Sequence, residues 1–350
     1  MKSIGFLGFL LVVLTLNVTA ELPTWDTLVD RARWAANAHN VQSWVLDSIP
    51  GRPDQRKLTL SPARLLPQTD PPSRQLTISL GTFLAVLEDE AAAQGAQITW
   101  QPLVDGAGAL VTLSVGTLVP HPQGWVDALT SPTVKYRTSP QAFSPKVLAT
   151  WTSQSNEVVR FRWLTDPSEV VAAKDWAKVS FHLEMELPRT RNESILYTQY
   201  GADNRRSHPY GITLLPNFPQ SELFWIEGFA NLFPQSPAEY TKSAEQMFDK
   251  ALVPVTQILV VVSTGDGLRD RIATGEALQR VWVDVRTQGG ELLPLSQGLE
   301  EFPEMAGPYA EARQRWATGG QTVQMVLALF RPGPGVFLPS PRLPVSAILK

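Results

Sequence analysis

Apolar residues at Trp25, Leu28, Val29, Ala32 and Ala36 recur with helical spacing and predict a helix over 25–38. The period then breaks. Residues 35–44 read A-A-N-A-H-N-V-Q-S-W, a polar stretch suited to neither a helix interior nor a core. A short strand is predicted at 57–60. From Asp70 the chain runs D-P-P-S-R-Q-L-T-I-S-L-G. Its apolar positions continue through Leu80, Phe83, Leu84 and Leu87 to Ala93, a long buried helix stopped by Gly95. Strands are expected at 97–102 and 109–115. Helices are expected at 144–154, 170–186, 221–232, 269–287 and 305–316, with 157–164 either strand or helix. The Ile, Leu and Val run at 256–263 reads as a central strand covered on both faces. Residues 292–295 and 324–331 supply further apolar segments, the second a strand. Residues 188–194 read as a basic, polar connection, and 200–240 as a long lid or binding loop holding the 221–232 helix. Strand–helix alternation in both halves predicts an α+β, three-layer fold.

Composition narrows the chemistry. The 350-residue chain has no cysteine, which removes disulfides, Cys-based zinc sites, iron–sulfur clusters and thiol nucleophiles. Its four histidines, His39, His121, His182 and His208, include no i, i+4 pair, so no His-rich metal site is expected, while one built mainly from carboxylates stays open. A net charge of −3 argues against a nucleic-acid partner. No G-x-S-x-G motif supports a Ser/His/Asp nucleophile, and no catalytic side chain stands out. Residues 1–20 read as a secretory signal: Lys2, an apolar run over 4–16, then Val18-Thr19-Ala20 ahead of Glu21. The run is shorter than the roughly 20 residues that span a bilayer. The alternative is an uncleaved anchor. In either case the body is expected outside the cytoplasm, periplasmic or secreted, with no stable membrane insertion once the signal is removed.

The polar stretch at 35–44 is the first candidate site. His39, Asn40, Gln42, Ser43 and Trp44 supply donors, and both amides also accept. That set suits a turn facing a planar ligand with alternating donors and acceptors. A helix C-terminus satisfying its own backbone is the plainer reading. Elsewhere, Asp70 is expected to pair with Arg74 while Ser73 caps the following helix. Gly265-Asp266-Gly267 lacks the rest of a phosphate loop.

Six segments then follow in one order: H-N-V-Q-S-W at 39–44, D-P-P-S-R-Q-L-T-I-S-L-G at 70–81, G-E-A-L-Q-R-V at 275–281, L-P-L-S-Q-G-L-E at 293–300, V-Q-M-V-L-A-L-F-R-P-G at 323–333 and P-S-P-R-L-P-V at 339–345. Together they resemble the nitroreductase superfamily, in its Acg-like FMN-binding branch. The resemblance implies a nitroreductase-like sandwich and a single chain built as a fused pseudo-dimer, its halves at 21–185 and 186–350, the lid-like loop 200–240 in the second. A monomer would then act as the pair. It implies an FMN-dependent oxidoreductase that passes hydride from a small-molecule electron donor through flavin to an acceptor. His39, Asn40 and Gln42 would lie at the flavin. Arg189 and Arg191, with Arg342, would meet its phosphate. Gln297 and Gln324 also stand at motif positions. The chain departs from the family at Asn37-Ala38 and Ser43, and at Glu193, where an arginine is expected; Arg205 or Arg206 would compensate. Two non-catalytic readings stay open: a flavin-sequestering protein and a degenerate scaffold.

Overall fold

A computed structural model describes residues 21–134, 138–232 and 235–350; the expected signal at 1–20 lies outside the described residues. The chain begins with α1 (Trp25–Ala32), whose first turn is capped by the Thr24 hydroxyl accepting from the Thr27 amide. A 3-10 turn at Ala38–Asn40 leads into the hairpin β1 (Trp44–Ile49) and β2 (Arg52–Leu60). Helix α2 (Arg74–Ala93) precedes β3 (Ala96–Pro102) and β4 (Gly108–Val115). Next come α3 (Trp125–Thr130), β5 (Thr138–Ser139), α4 (Pro145–Thr152) and β6 (Val159–Leu164). A largely helical block follows: α5 (Pro167–Glu186), α6 (Pro188–Leu196), β7 (Thr198–Gln199), α7 (Ala202–Ser207), β8 (Ile212–Thr213), α8 (Gln220–Leu232) and α9 (Pro237–Leu252). The chain finishes with β9 (Gln257–Ser263), α10 (Leu268–Thr287), β10 (Glu291–Pro294), α11 (Ala306–Trp316), β11 (Thr322–Pro332) and α12 (Val345–Ile348).

The architecture is α+β, and its two main sheets share one plan. The first has the order β1-β2-β4-β3 and the second β6-β9-β11-β10, all antiparallel, with β5 added to β11. In each, the long helix α2 or α10 separates the second strand from the third. These two helices pack together at glycines. A Cβ on Gly81 would lie 1.9 Å from the Ile272 carbonyl oxygen, and one on Gly275 would lie 2.0 Å from that of Ile78. Each isoleucine sits one turn before its own glycine, so the contact is reciprocal, as at a two-fold interface.

Strand β9 is buried at every position, as its sequence predicts. Ile258, Val260 and Val262 point to the core shared with α5 and α9, while Leu259 and Val261 point to the core beneath α10. The two-residue period of a strand makes that division possible.

The sheets divide the chain elsewhere than at 185. Strands β5 and β6 pair with β11 and β9, so residues 138–164 belong to the second sheet. The expected polar connection at 188–194 is helix α6, started by Pro188 in its first turn, where the missing amide costs nothing. The described residues of the 200–240 segment are mostly helical. Within it Ser236 and Glu239 form a reciprocal capping box that starts α9.

Candidate functional site

The polar stretch after α1 folds into a strained turn. His39, Asn40 and Gln42 have φ of 46°, 53° and 50°, the left-handed region that non-glycine residues seldom occupy. Neighbours hold it there. Ala36 N donates to Gln279 Oε1 at 2.9 Å, Ala38 N to Ser79 Oγ at 3.2 Å, and Gln42 N to Asn37 Oδ1 at 2.9 Å. Both long helices therefore grip the turn.

Asn40 and Gln42 bind protein. Asn40 Nδ2 donates to the carbonyls of Gly211 (3.0 Å) and Pro341 (3.3 Å), and Gly211 N returns a bond to Asn40 O at 2.8 Å. Gln42 is fully buried; its Nε2 donates to Pro209 O (3.0 Å) and its Oε1 accepts from Leu343 N (2.7 Å). Arg342 donates through Nη1 to Asn40 Oδ1 and lies over the Trp34 ring. Burial, then the nearby Arg286 and Arg33, push its guanidinium down to about 9. Its Nε is buried without a partner. Trp44 packs 5.0 Å from Phe83 in the core and covers no ligand space.

A cavity opens on the other side of the turn, with about 200 Å³ available to the centres of water molecules. His39 lines it, as do Gln75, Ile78 and Ser79 of α2, Leu278 of α10, Pro294 of β10, Gln297 and Glu300 after it, and Met325 of β11. Five of the six sequence segments thus meet at one cavity, and the sixth, at 339–345, bonds the back of its turn. Phe181, Glu184, Tyr240 and Phe248, from α5 and α9, close the remaining wall.

The cavity lining contains no lysine or arginine among the described residues. Glu184 is 1% exposed and Glu300 4%. Burial, with Glu193 adding repulsion against a bond from Ser194, pushes Glu184 up to about 7. Burial, then Glu184, Asp70 and Glu193, raise Glu300 well above the usual carboxylate range, against a hydrogen bond from Gln75. Glu184 Oε2, Gln297 Oε1 and Glu300 Oε2 are buried without a hydrogen-bond partner. No group of three His, Asp or Glu among the described residues is placed to hold a metal.

The other predicted residues scatter. Arg189 stays on the surface, its two Nη atoms taken by Glu304. Arg191 sits one turn before the cavity-lining Ser194 on α6, with its Nε buried and unpartnered. Arg205 pairs with Glu227 and Arg206 with Asp203. Gln324, fully buried, is structural: it accepts from Arg74 at 2.9 Å and donates to Ser263 Oγ at 2.8 Å. Asp70 does not pair with Arg74. Its Oδ2 accepts from the Leu76 amide at 3.0 Å, taking the capping role expected of Ser73, which makes no cap bond. Asp266 is an ion-pair partner of Arg74 and Arg271 rather than part of a phosphate loop.

The carboxyls were missed from sequence. Glu184 interrupts the apolar stripe Ala177, Phe181, Met185 of α5, and Glu300 closes the 293–300 segment, so each left a signal. The reciprocal position on the other side of the helix pair is filled. Thr82 follows Gly81 and lines the cavity, whereas Glu276, following Gly275, accepts from Trp100 Nε1 at 2.6 Å, with Arg269 over that indole.

No family model matches the chain, and no curated protein matches it. Several solved structures overlap it loosely. A point mutant of the FMN and NADPH-dependent nitroreductase NfnB from sphigopyxis sp. strain HMH superposes with a TM-score of 0.41 at 15% identity, covering 65% of this chain and 97% of its own. A nitroreductase-like family protein from Bacillus cereus gives 0.33 at 10%, covering 66% and 97%. A BluB-like flavoprotein from Clostridium difficile 630 gives 0.33 at 12%, covering 64% and 96%. Likenesses this loose carry no weight for the function of this chain.

Proposed function

We propose that this chain is an exported, Acg-like flavin oxidoreductase of the nitroreductase superfamily, a fused pseudo-dimer using FMN between a small-molecule electron donor and an acceptor. The observation that carries the reading is the meeting of all six sequence segments at one cavity and its back wall. Of the unpartnered buried atoms, Gln297 Oε1 belongs to the lining and suits an N–H or hydroxyl donor of FMN. The unpartnered Nε atoms of Arg191 and Arg342 suit an anionic tail, but both side chains lie outside the lining. In this reading His39 faces the ring, Asn40 and Gln42 fix the turn beneath it, and Arg191 and Arg342, neither of them on the lining, would have to swing inward to meet the phosphate. Arg189, held by Glu304, takes no part. FMN, when bound, would accept and donate hydride, and the protein would position it and restrict access. Cleavage after Ala20 and a periplasmic or secreted location belong to the same proposal; a mature N-terminus at Glu21 by sequencing checks both.

The test is an absorbance spectrum of the purified protein with and without added FMN. A flavin band that survives gel filtration upholds the reading, and a protein that stays colourless removes it. A second reading, flavin sequestration without turnover, is favoured by the cover that Tyr240 and Phe248 of α9 give the cavity. It expects bound FMN that external NAD(P)H leaves oxidised.

A further inference from the structure

Three buried acceptor oxygens on residues that line one cavity have no hydrogen-bond partner: Glu184 Oε2, Gln297 Oε1 and Glu300 Oε2, although the Glu300 carboxyl is also bonded by Gln75. Buried polar atoms in folded proteins are almost always paired, so three orphans of one kind around one space describe what belongs there. Protonated, each carboxyl carries an O–H of its own; once ionised beside a cation it only accepts, and the glutamine offers its carbonyl oxygen. The complement is a group that only donates. The rest of the lining fits a flat apolar body. Phe181 and Phe248 stack at 4.2 Å with their planes 6° apart, and Ile78 and Trp282 add to the wall.

We propose that Glu184, Glu300 and Gln297 form a subsite for the N–H groups of an organic cation, an amidinium, guanidinium or protonated amine carried on an aromatic ring. A metal ion is a poorer fit, since no trio of His, Asp or Glu among the described residues is placed to hold one. The glutamates sit on different elements, α5 and the turn after β10, so a forked cation would bridge them. Bare, the two carboxyls repel one another and burial favours their protonated forms. A cation removes that repulsion and supplies hydrogen bonds shared with charge, which exceed neutral ones in strength. The subsite rests on the cavity being a ligand site and does not require flavin.

The experiment uses three ring compounds of similar size: benzamidinium, benzyl alcohol and benzoate, titrated calorimetrically into the purified protein at pH 8. Benzamidinium should bind about tenfold or more tighter than benzyl alcohol, the ratio expected when a charge-assisted bond replaces a neutral one, and benzoate should not bind. Glu184→Gln and Glu300→Gln should each remove most of that preference. Equal binding of all three, no binding of benzamidinium, or a preference that survives both substitutions overturns the subsite. If a variant fails to fold, the comparison of the three compounds on the unaltered protein decides alone. FMN absorbance is read separately. A colourless protein that prefers benzamidinium keeps the subsite and loses the flavin, and the opposite pair of results does the reverse.

Discussion

Arg74 and Asp266 form a two-pronged ion pair, Nη1–Oδ1 2.8 Å and Nη2–Oδ2 2.7 Å, that ties α2 to the loop before α10. The Arg74 side chain is 1% exposed and also donates through Nε to Glu301 at 2.7 Å and through Nη2 to the Tyr309 hydroxyl at 3.0 Å. Removing a buried partner strands the rest of the network. Arg74→Ala should cost about 3 kcal/mol, the low end for a broken buried pair because the carboxylates stay about a third exposed. Urea unfolding at pH 7 measures it.

The glycine contact between α2 and α10 leaves no room for a methyl. Gly81→Ala and Gly275→Ala each place Cβ on a backbone carbonyl, so the helices must part. Each substitution should destabilise by about 1–3 kcal/mol or more. The double variant should cost less than the sum, since the first already opens the seam. Unfolding midpoints of the three variants decide.

Gln42→Ala withdraws a donor from the Pro209 carbonyl and an acceptor from the Leu343 amide at a fully buried position. A loss of about 1–3 kcal/mol is expected for the groups left unpaired. Amide exchange should rise first at Leu343 and at Gly211, which bonds the neighbouring Asn40.

Stability should fall as pH rises from about 5 to about 8. Burial pushes Asp70 and Glu184 up to about 7, and burial with the Glu88 charge pushes Glu276 up to about 8. In this window the folded protein keeps protons that the unfolded chain, with ordinary carboxyls, has released. The contribution is complete below the unfolded values and disappears through the folded ones. Melting temperatures across the range should decline, and Glu276→Gln should flatten the upper part of the decline.

Periodicity and apolar runs located the regular elements whose burial is read directly from their apolar residues, whether on one face, as in β3, or all round, as in β9. The α2 and α10 helices, the central β9 and the pair β3 and β4 were legible because their apolar residues recur at 3.6 or 2, or fill a short run. The helices α6 and α9 were not: Arg189, Arg191 and Asn192 make the first look like a loop, and its helical start depends on Pro188. The duplicated sheet plan was hidden because it lives in pairing order, which sequence spacing does not record, and because the α5–α9 block separates β6 from β9. At the site, His39 was legible as a polar residue where a period breaks, but its neighbours Asn40 and Gln42 turned out to bind backbone. Composition could not reveal which way those amides point. Arg191 and Arg189 looked alike in sequence, and only the carboxylate of Glu304 tells them apart.

The turn at 39–42 takes its fastenings from Pro341, Arg342 and Leu343, some 301 positions further along the chain. The following residues bridge to β1 as well, with Lys350 N donating to Leu46 O and Ser48 N to Lys350 O. During synthesis the turn at 39–42 therefore waits for partners made some 301 positions later. Until residues 341–343 dock, the Gln42 side-chain oxygen and Asn40 Oδ1 lack their partners, and the bonds from Ser79, Gln279, Asn37, Pro209 and Gly211 hold the turn alone. Replacing residues 341–343 by a flexible linker should leave both sheets paired while the turn at 39–42, and with it the cavity wall at His39, loosens.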